Sequence, residues 1–207
     1  MHPNPTFRNT ARDDNIAFAR ERSFGTLAVN ADDGPLLSHI PFQVCEEGTR
    51  LEVHLVRSNP TVRALKSPKD AVVAVMGPDG YISPDWYGVE DQVPTWNYVA
   101  VHLRGRVYLL ADDELRGILD RLSLAMETRL LPKKPWNIEK MSDGVFEKLA
   151  RMIVPITMEV DDIQSTWKLS QNKADSARIG AAQGLRDAQL GSEVERLCAL
   201  IEDIQHR

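Results

Sequence analysis

Only two cysteines, Cys45 and Cys198, occur in the 207 residues. They lie far apart, the second within an apparent helix stripe, so buried thiols in a reducing compartment are expected rather than a disulfide. The chain has no Walker loop, no HExxH, no CxxC and no GxSxG. Metal and acyl-transfer chemistries therefore start from a poor position. No apolar run approaches the roughly 18 residues that cross a bilayer, and the opening stretch MHPNPTFRNT is polar and Pro-containing, which predicts a cytoplasmic protein. A net charge of −5 and a pI near 5.6 give no global reason to bind a polyanion, so contact with DNA would need a local basic face or a partner. Repeats, low-complexity tracts and long charge blocks are also missing.

What remains is an ordinary globular composition, 43% hydrophobic and 27% charged, long enough for one domain with an appendage. Thr10 and Asp13 open a short helix that runs to about Arg22. FGTLAVN, the turn at Asp33-Gly34 and PLLSHIPFQV read as a β-hairpin, and RLEVHLV after Gly48 adds a third antiparallel strand without a crossover. DAVVAVM (70–76) is a strand buried on both faces, with Gly77-Pro78-Asp79-Gly80 as the turn after it. TWNYVAVHLRGRVYLL is a long strand in which Gly105 marks a bend of the kind that closes barrels. A helix with Leu115, Ile118, Leu119, Leu122 and Met126 follows, then a second capped by Ser142 with Val145, Phe146, Leu149 and Met152 as its apolar face. ITMEV is a last strand, IQSTWKLSQN a polar segment, and Ser192 with Glu195 a capping box for a helix whose stripe is Val194, Leu197, Cys198, Ile201 and Ile204. Antiparallel strands in this number make a barrel with peripheral helices the economical architecture, an α+β fold. The expected division is one domain over 1–190 and a C-terminal helical segment over 191–207 that packs on the barrel or on a partner chain.

Two stretches carry chemistry. Between Gly77 and Val107 lie two of the four Trp and three of the four Tyr, beside turn residues. Such crowding suits either a core corner or the wall of a planar ligand. Arg57-Ser58-Asn59-Pro60 joins a strand to a short helix, and the free N–H groups of a helix start beside a guanidinium favour a phosphate. That junction is also a common structural device. His39, His54 and His102 fall on expected strands, where hydrogen-bonded wall positions are the usual role and no metal site is assigned. With no nucleophile motif in the chain, a bound cofactor is the expected source of any chemistry.

These words also occur together. YISPDWY (81–87), VPTWNYVAVHLRG (93–105), HIP (39–41), the His54-x-x-Arg57-x-Asn59-Pro60 strand end and KLSQN (168–172) resemble the PaiB-type family of FMN-binding negative transcriptional regulators. The resemblance implies an FMN-binding split β-barrel, related to pyridoxamine-phosphate-oxidase-like flavoproteins, that forms a homodimer with FMN at the interface. It makes Arg57, Ser58 and Asn59 the phosphate grip with His54 beside them, and it puts Ser38, His39 and Ile40 along the isoalloxazine edge. Thr95, Trp96 and Asn97, with Lys168, Ser170, Gln171 and Asn172, are expected at the ring from one subunit or the other. Trp96 also suits a dimer interface without flavin contact, while Gln171 and Asn172 are as well suited to local loop hydrogen bonds as to the ligand. DNA or a regulatory protein is the implied partner. An FMN-dependent oxidoreductase acting on a small molecule is the alternative, decided by whether a face of the flavin is reachable past His39, Trp96 and Tyr98.

Overall fold

A computed structural model describes residues 1–206, with side chains through Ile204. Arg207, the end of the expected 191–207 segment, lies outside the described residues. The chain forms an antiparallel eight-stranded sheet in the order β2-β1-β5-β6-β7-β4-β3, with β8 beside β5. The strands are β1 (Phe24–Ala31), β2 (Gly34–Pro41), β3 (Gln43–Val44), β4 (Arg50–Val56), β5 (Lys69–Ile82), β6 (Thr95–Leu109), β7 (Ile153–Lys168) and β8 (Gly191–Ser192). Six helices accompany them: α1 (Arg12–Arg22), α2 (Pro60–Ala64), α3 (Leu115–Glu127), α4 (Val145–Ala150), α5 (Asp175–Ala188) and α6 (Val194–Glu202). The residues fall into two compact units, Met1–Asn15, Met76–Val101 and Gln164–Arg207 in the first, Ile16–Val75 and His102–Ile163 in the second.

In the second unit the expected β1–β2 hairpin forms, in register from Phe24↔Pro41 to Ala31↔Gly34. The third strand does not extend it. Pro41 ends β2, Gln43 and Val44 turn back onto β4, and β4 takes β7 as its long neighbour from Arg50↔Glu159 to Val56↔Ile153. Leu51, Val53 and Leu55 are buried as period-two alternation requires. Glu52, on the opposite face, is buried as well because Arg121 of α3 grips it with two hydrogen bonds of 2.8 and 2.9 Å and Arg50 adds a third. Gly105 lets β6 press on β7, since a Cβ there would stand 1.7 Å from the Glu159 carbonyl oxygen, a distance no side chain tolerates. Helix α4 is shorter than the apolar pattern suggests. It begins after a left-handed Gly144 rather than a Ser142 cap, and Val145, Leu149 and Met152 are exposed.

In the first unit β5 runs straight through Gly77-Pro78-Asp79-Gly80, where a turn was expected. Gly80 has no side chain to obstruct Leu185 of α5 and Leu197 of α6, and β8 pairs with Asp79 and Gly80. That pairing also replaces the capping box, because Ser192 sits in β8 and donates its N–H to Asp79 Oδ1. The α6 stripe is nonetheless buried at Val194, Leu197, Cys198 and Ile201. Arg178 of α5, only 2% exposed, donates to the Ile201 carbonyl at the α6 C-terminus, a favourable place for a cation. Helix α5 itself carries Ala177, Ala181, Ala182 and Leu185 on its buried face. Its Gly180 and Gly184 admit the 3-10 turn Pro84–Tyr87, with the Trp86 ring where a Gly184 side chain would be.

Candidate functional site

The residues expected to bind a ligand gather in two clusters, one in each unit. In the second unit, Asn59 caps α2, its Oδ1 accepting from the Thr61 N–H at 2.8 Å, and Pro60 occupies the first turn where no donor is needed. Asn59 Nδ2 reaches Ser38 Oγ at 3.3 Å, and Ser38 Oγ lies 3.0 Å from Thr61 Oγ1. Ser38 and Ile40 are buried, whereas His39 points outward and pairs with Thr26 Oγ1 at 3.1 Å. The helix start is thus already capped and offers fewer free N–H groups than the sequence suggests. Val62 N–H, too, is taken, by the Asn59 carbonyl.

Arg57 is also engaged. Its Nη2 donates to Asp112 at 3.2 Å and to the Ile153 carbonyl, and its Nε donates to the Arg151 carbonyl. Both side chains of the ion pair are exposed, so it contributes roughly 0–1 kcal/mol and yields readily to a dianion. Ser58 is exposed and its carbonyl accepts from Arg63 Nη1. His54, three residues before Arg57, is half-buried. Among the described residues its Nδ1 has no hydrogen-bond partner, and burial pushes its pKa below the ordinary value.

The first unit holds a cavity of about 210 Å³. Thr95 and Asn97 reach it from one face of β6, Lys168 from the end of β7, Ser170, Asn172 and Lys173 from the loop after it, and Tyr87 from the 3-10 turn. His2, Asn4 and Phe7 close one side, held by His2 N–H to Thr166 Oγ1 at 3.0 Å and by Gln171 Nε2 to the Thr6 carbonyl. Asn97 is 0% exposed and donates through Nδ2 to Ser170 Oγ at 2.8 Å, with Tyr87 Oη 3.3 Å from the same oxygen. Its Oδ1 has no partner among the described residues. A buried acceptor left unpaired costs roughly 1–3 kcal/mol, which a ligand donor would recover. Ser170 takes a left-handed φ of 61°, a strained choice for a non-glycine residue that turns its hydroxyl onto this pair.

Lys168 donates to Thr95 Oγ1 and lies over the Phe7 ring at 5.9 Å. Desolvation lowers its pKa. Lys173 stands over the Tyr87 ring at 5.1 Å, and among the described residues neither Asp nor Glu lines the cavity. Two of the expected residues, Gln171 and Trp96, behave differently. Gln171 is consumed by the loop, bonding the Leu169 N–H and the Trp167 carbonyl. Trp96 lies on the other face of β6 from Thr95 and Asn97, 48% exposed and edge-on to Tyr81 at 6.3 Å. Asn172 lines the cavity from an exposed position. His2, Phe7, Tyr87 and Lys173 were not expected at the site. Two had a signal: Tyr87, the last residue of YISPDWY, and Lys173, directly after KLSQN.

This sheet with its helices is the split-barrel fold of flavin-binding proteins. It is similar to the FAD and heme binding protein from Mycobacterium smegmatis, with a TM-score of 0.58 and 20% identity over 83% of this chain and 78% of that one. It is also similar to flavocytochrome Anf3 from Azotobacter vinelandii, with a TM-score of 0.52 and 14% identity over 81% and 72%. Within that class, residues 1–162 match the family described as "Putative FMN-binding domain", and the chain belongs to this PaiB-type family. Its relative "Protease synthase and sporulation protein PAI 2" from Bacillus subtilis (strain 168) is 31% identical over 199 residues, 95% of this chain and 94% of that protein. FMN is the cofactor that goes with the family. The unpaired Asn97 acceptor beside the Lys168 ammonium fits the pyrimidine edge of its ring system, which presents one N–H between two carbonyls. Among the described residues, no helix is long and apolar enough to cross a membrane.

Proposed function

We propose that the protein is a homodimeric, cytoplasmic FMN-binding regulator that acts negatively on transcription, directly or through a partner. The observation that carries the flavin reading is the unpaired, fully buried Asn97 Oδ1 in a cavity that also presents the Lys168 and Lys173 ammonium groups. In this reading Asn97 accepts from the ring N–H, and Lys168, Thr95 and Asn172 donate to the flanking carbonyls. Ser170 holds the Asn97 amide in place and Gln171 holds the loop. Arg57, Ser58 and Asn59 take the phosphate, the dianion displacing Asp112 from the guanidinium. His54 supplies its free Nδ1, and the Ser38–Ile40 strand runs along the ring edge.

Bound flavin supplies one- and two-electron redox chemistry, while the chain binds and orients it. Pockets that bury a ligand of this size enclose roughly 300–1,000 Å³, more than the 210 Å³ found here, so a second copy completes the enclosure. Trp96 and the exposed Val89 and Val93 belong to that contact. The 1–190 domain then carries the cofactor and α6 braces it. Regulation draws support from the sporulation role in the name of the Bacillus subtilis relative.

The purified protein is expected to show flavin absorption, or to take up added FMN, and to release it on denaturation. Colourless protein that binds no FMN by fluorescence titration ends the cofactor reading. Steady NAD(P)H oxidation by the loaded protein would transfer the assignment to an oxidoreductase.

A further inference from the structure

Lys168 is a half-buried ammonium whose described acceptor is the neutral hydroxyl of Thr95, and no ion pair to it occurs among the described residues. The groups around it are of the same sign or uncharged: Lys173 and His2 line the same cavity, Phe7 covers one side, and no carboxylate among the described residues lines it. In a chain of net charge −5 this is a positive pocket built without its counter-ion. A desolvated cation in such a place is stabilised by any negative charge that develops against it.

The ligand's polarity follows from Asn97. A phosphate in its ionised form offers acceptors only, so it satisfies Lys168 and leaves Asn97 Oδ1 unpaired. The pyrimidine edge of a flavin satisfies both, because its single N–H is flanked by carbonyl oxygens. Two-electron reduction changes that edge. The ring takes up two electrons and one proton, the proton going to N5, and the remaining negative charge spreads over N1 and the adjacent carbonyl oxygen.

We propose that Lys168 is the residue that sets the redox bias of the bound flavin, by holding the anionic two-electron-reduced ring more tightly than the oxidised one. This rests on the FMN reading above. The charge on Lys168 makes the difference, Thr95 Oγ1 fixes the ammonium, and Phe7 keeps water from one side of it.

The test is a dithionite titration of the FMN-loaded protein against a reference dye, run on the natural protein, Lys168→Met, Lys168→Gln and Lys168→Arg, with FMN and riboflavin affinities measured on the oxidised forms. Loss of the charge is expected to change the reduced-to-oxidised affinity ratio at least tenfold, a fall in potential of about 30 mV for a two-electron couple. Lys168→Arg is expected to keep most of the shift, and the spectrum of the reduced natural protein is expected to be that of the anionic form. An unchanged potential in both Met and Gln variants that still bind FMN overturns the proposal. So does a Lys168→Met variant that weakens FMN and spares riboflavin, since that places the phosphate at Lys168. A natural protein that binds no flavin overturns the underlying FMN reading instead. The Gln variant, polar and of similar length, keeps the test intact if Lys168→Met fails to fold.

Discussion

At the scale of single residues, the site is recognisable by what it leaves unsatisfied. Asn97 pays for its burial with an unpaired oxygen, and a near-isosteric apolar replacement removes that cost together with one bond to Ser170. Asn97→Leu is therefore expected to leave the flavin-free protein as stable as before or more so by up to about 1 kcal/mol, while weakening FMN roughly tenfold. Thermal melts without flavin and FMN titrations check the two halves separately. A second effect concerns protons. Burial lowers the pKa of His54 and of His102 from an ordinary 6.5, so the folded chain refuses protons that the unfolded chain accepts. Stability contributed by these neutral rings is complete above 6.5 and is lost as the pH falls through their depressed folded values. His2 adds the same sign. Urea midpoints measured from pH 7.5 down to 5 are expected to decline, and a His54→Gln/His102→Gln variant to flatten the decline without abolishing it.

At the scale of elements, close approach is what fixes the first unit's helices. Alanine at Gly184 should add about 1 kcal/mol of helix propensity in α5, but its Cβ would meet the Trp86 ring at 2.3 Å. Overpacking of that kind costs typically about 1–3 kcal/mol, so Gly184→Ala is expected to destabilise on balance, visible as a lower denaturant midpoint at unchanged slope. The strand-to-helix junction at Arg57 gives a second prediction. Arg57→Ala is expected to weaken FMN by about 1.5–3 kcal/mol, less what solvent screening removes, and to leave riboflavin nearly untouched. Equal losses for both ligands in parallel titrations would locate the phosphate elsewhere. These elements also mark how far sequence could be read. The hairpin, α2 with its Asn59 cap and the α6 stripe were legible because period and capping chemistry are local. The β4–β7 pairing was not, since partners about a hundred residues apart leave no local signal. The straight run of β5 through Gly-Pro-Asp-Gly depended on distant β8 and Leu185, and the N-terminal wall of the cavity on His2 and Phe7, which no motif announces.

At the scale of the whole molecule, several large apolar side chains are left exposed. Val93 is 73% exposed, Leu37 62% and Phe24 57%. Single exposed apolar residues are ordinary, but these accompany a cavity too small to enclose the cofactor alone. If FMN lies between two copies, each flavin bound also ties the copies together, and binding and dimerisation are one linked equilibrium. Apparent FMN affinity should then rise with protein concentration, and the dimer should persist to lower concentration when FMN is present. Light scattering after size exclusion, at several loadings with and without FMN, measures the second quantity, and titrations at matched concentrations measure the first. Replacing Trp96 by Ala removes an exposed ring outside the Lys168 cavity, so it is expected to weaken dimerisation first and FMN only through the loss of dimer. Saturating protein should restore FMN binding in that variant. A concentration-independent FMN affinity in a monodisperse monomer would mean that one chain holds the flavin unaided, and the role given to the second copy would fall.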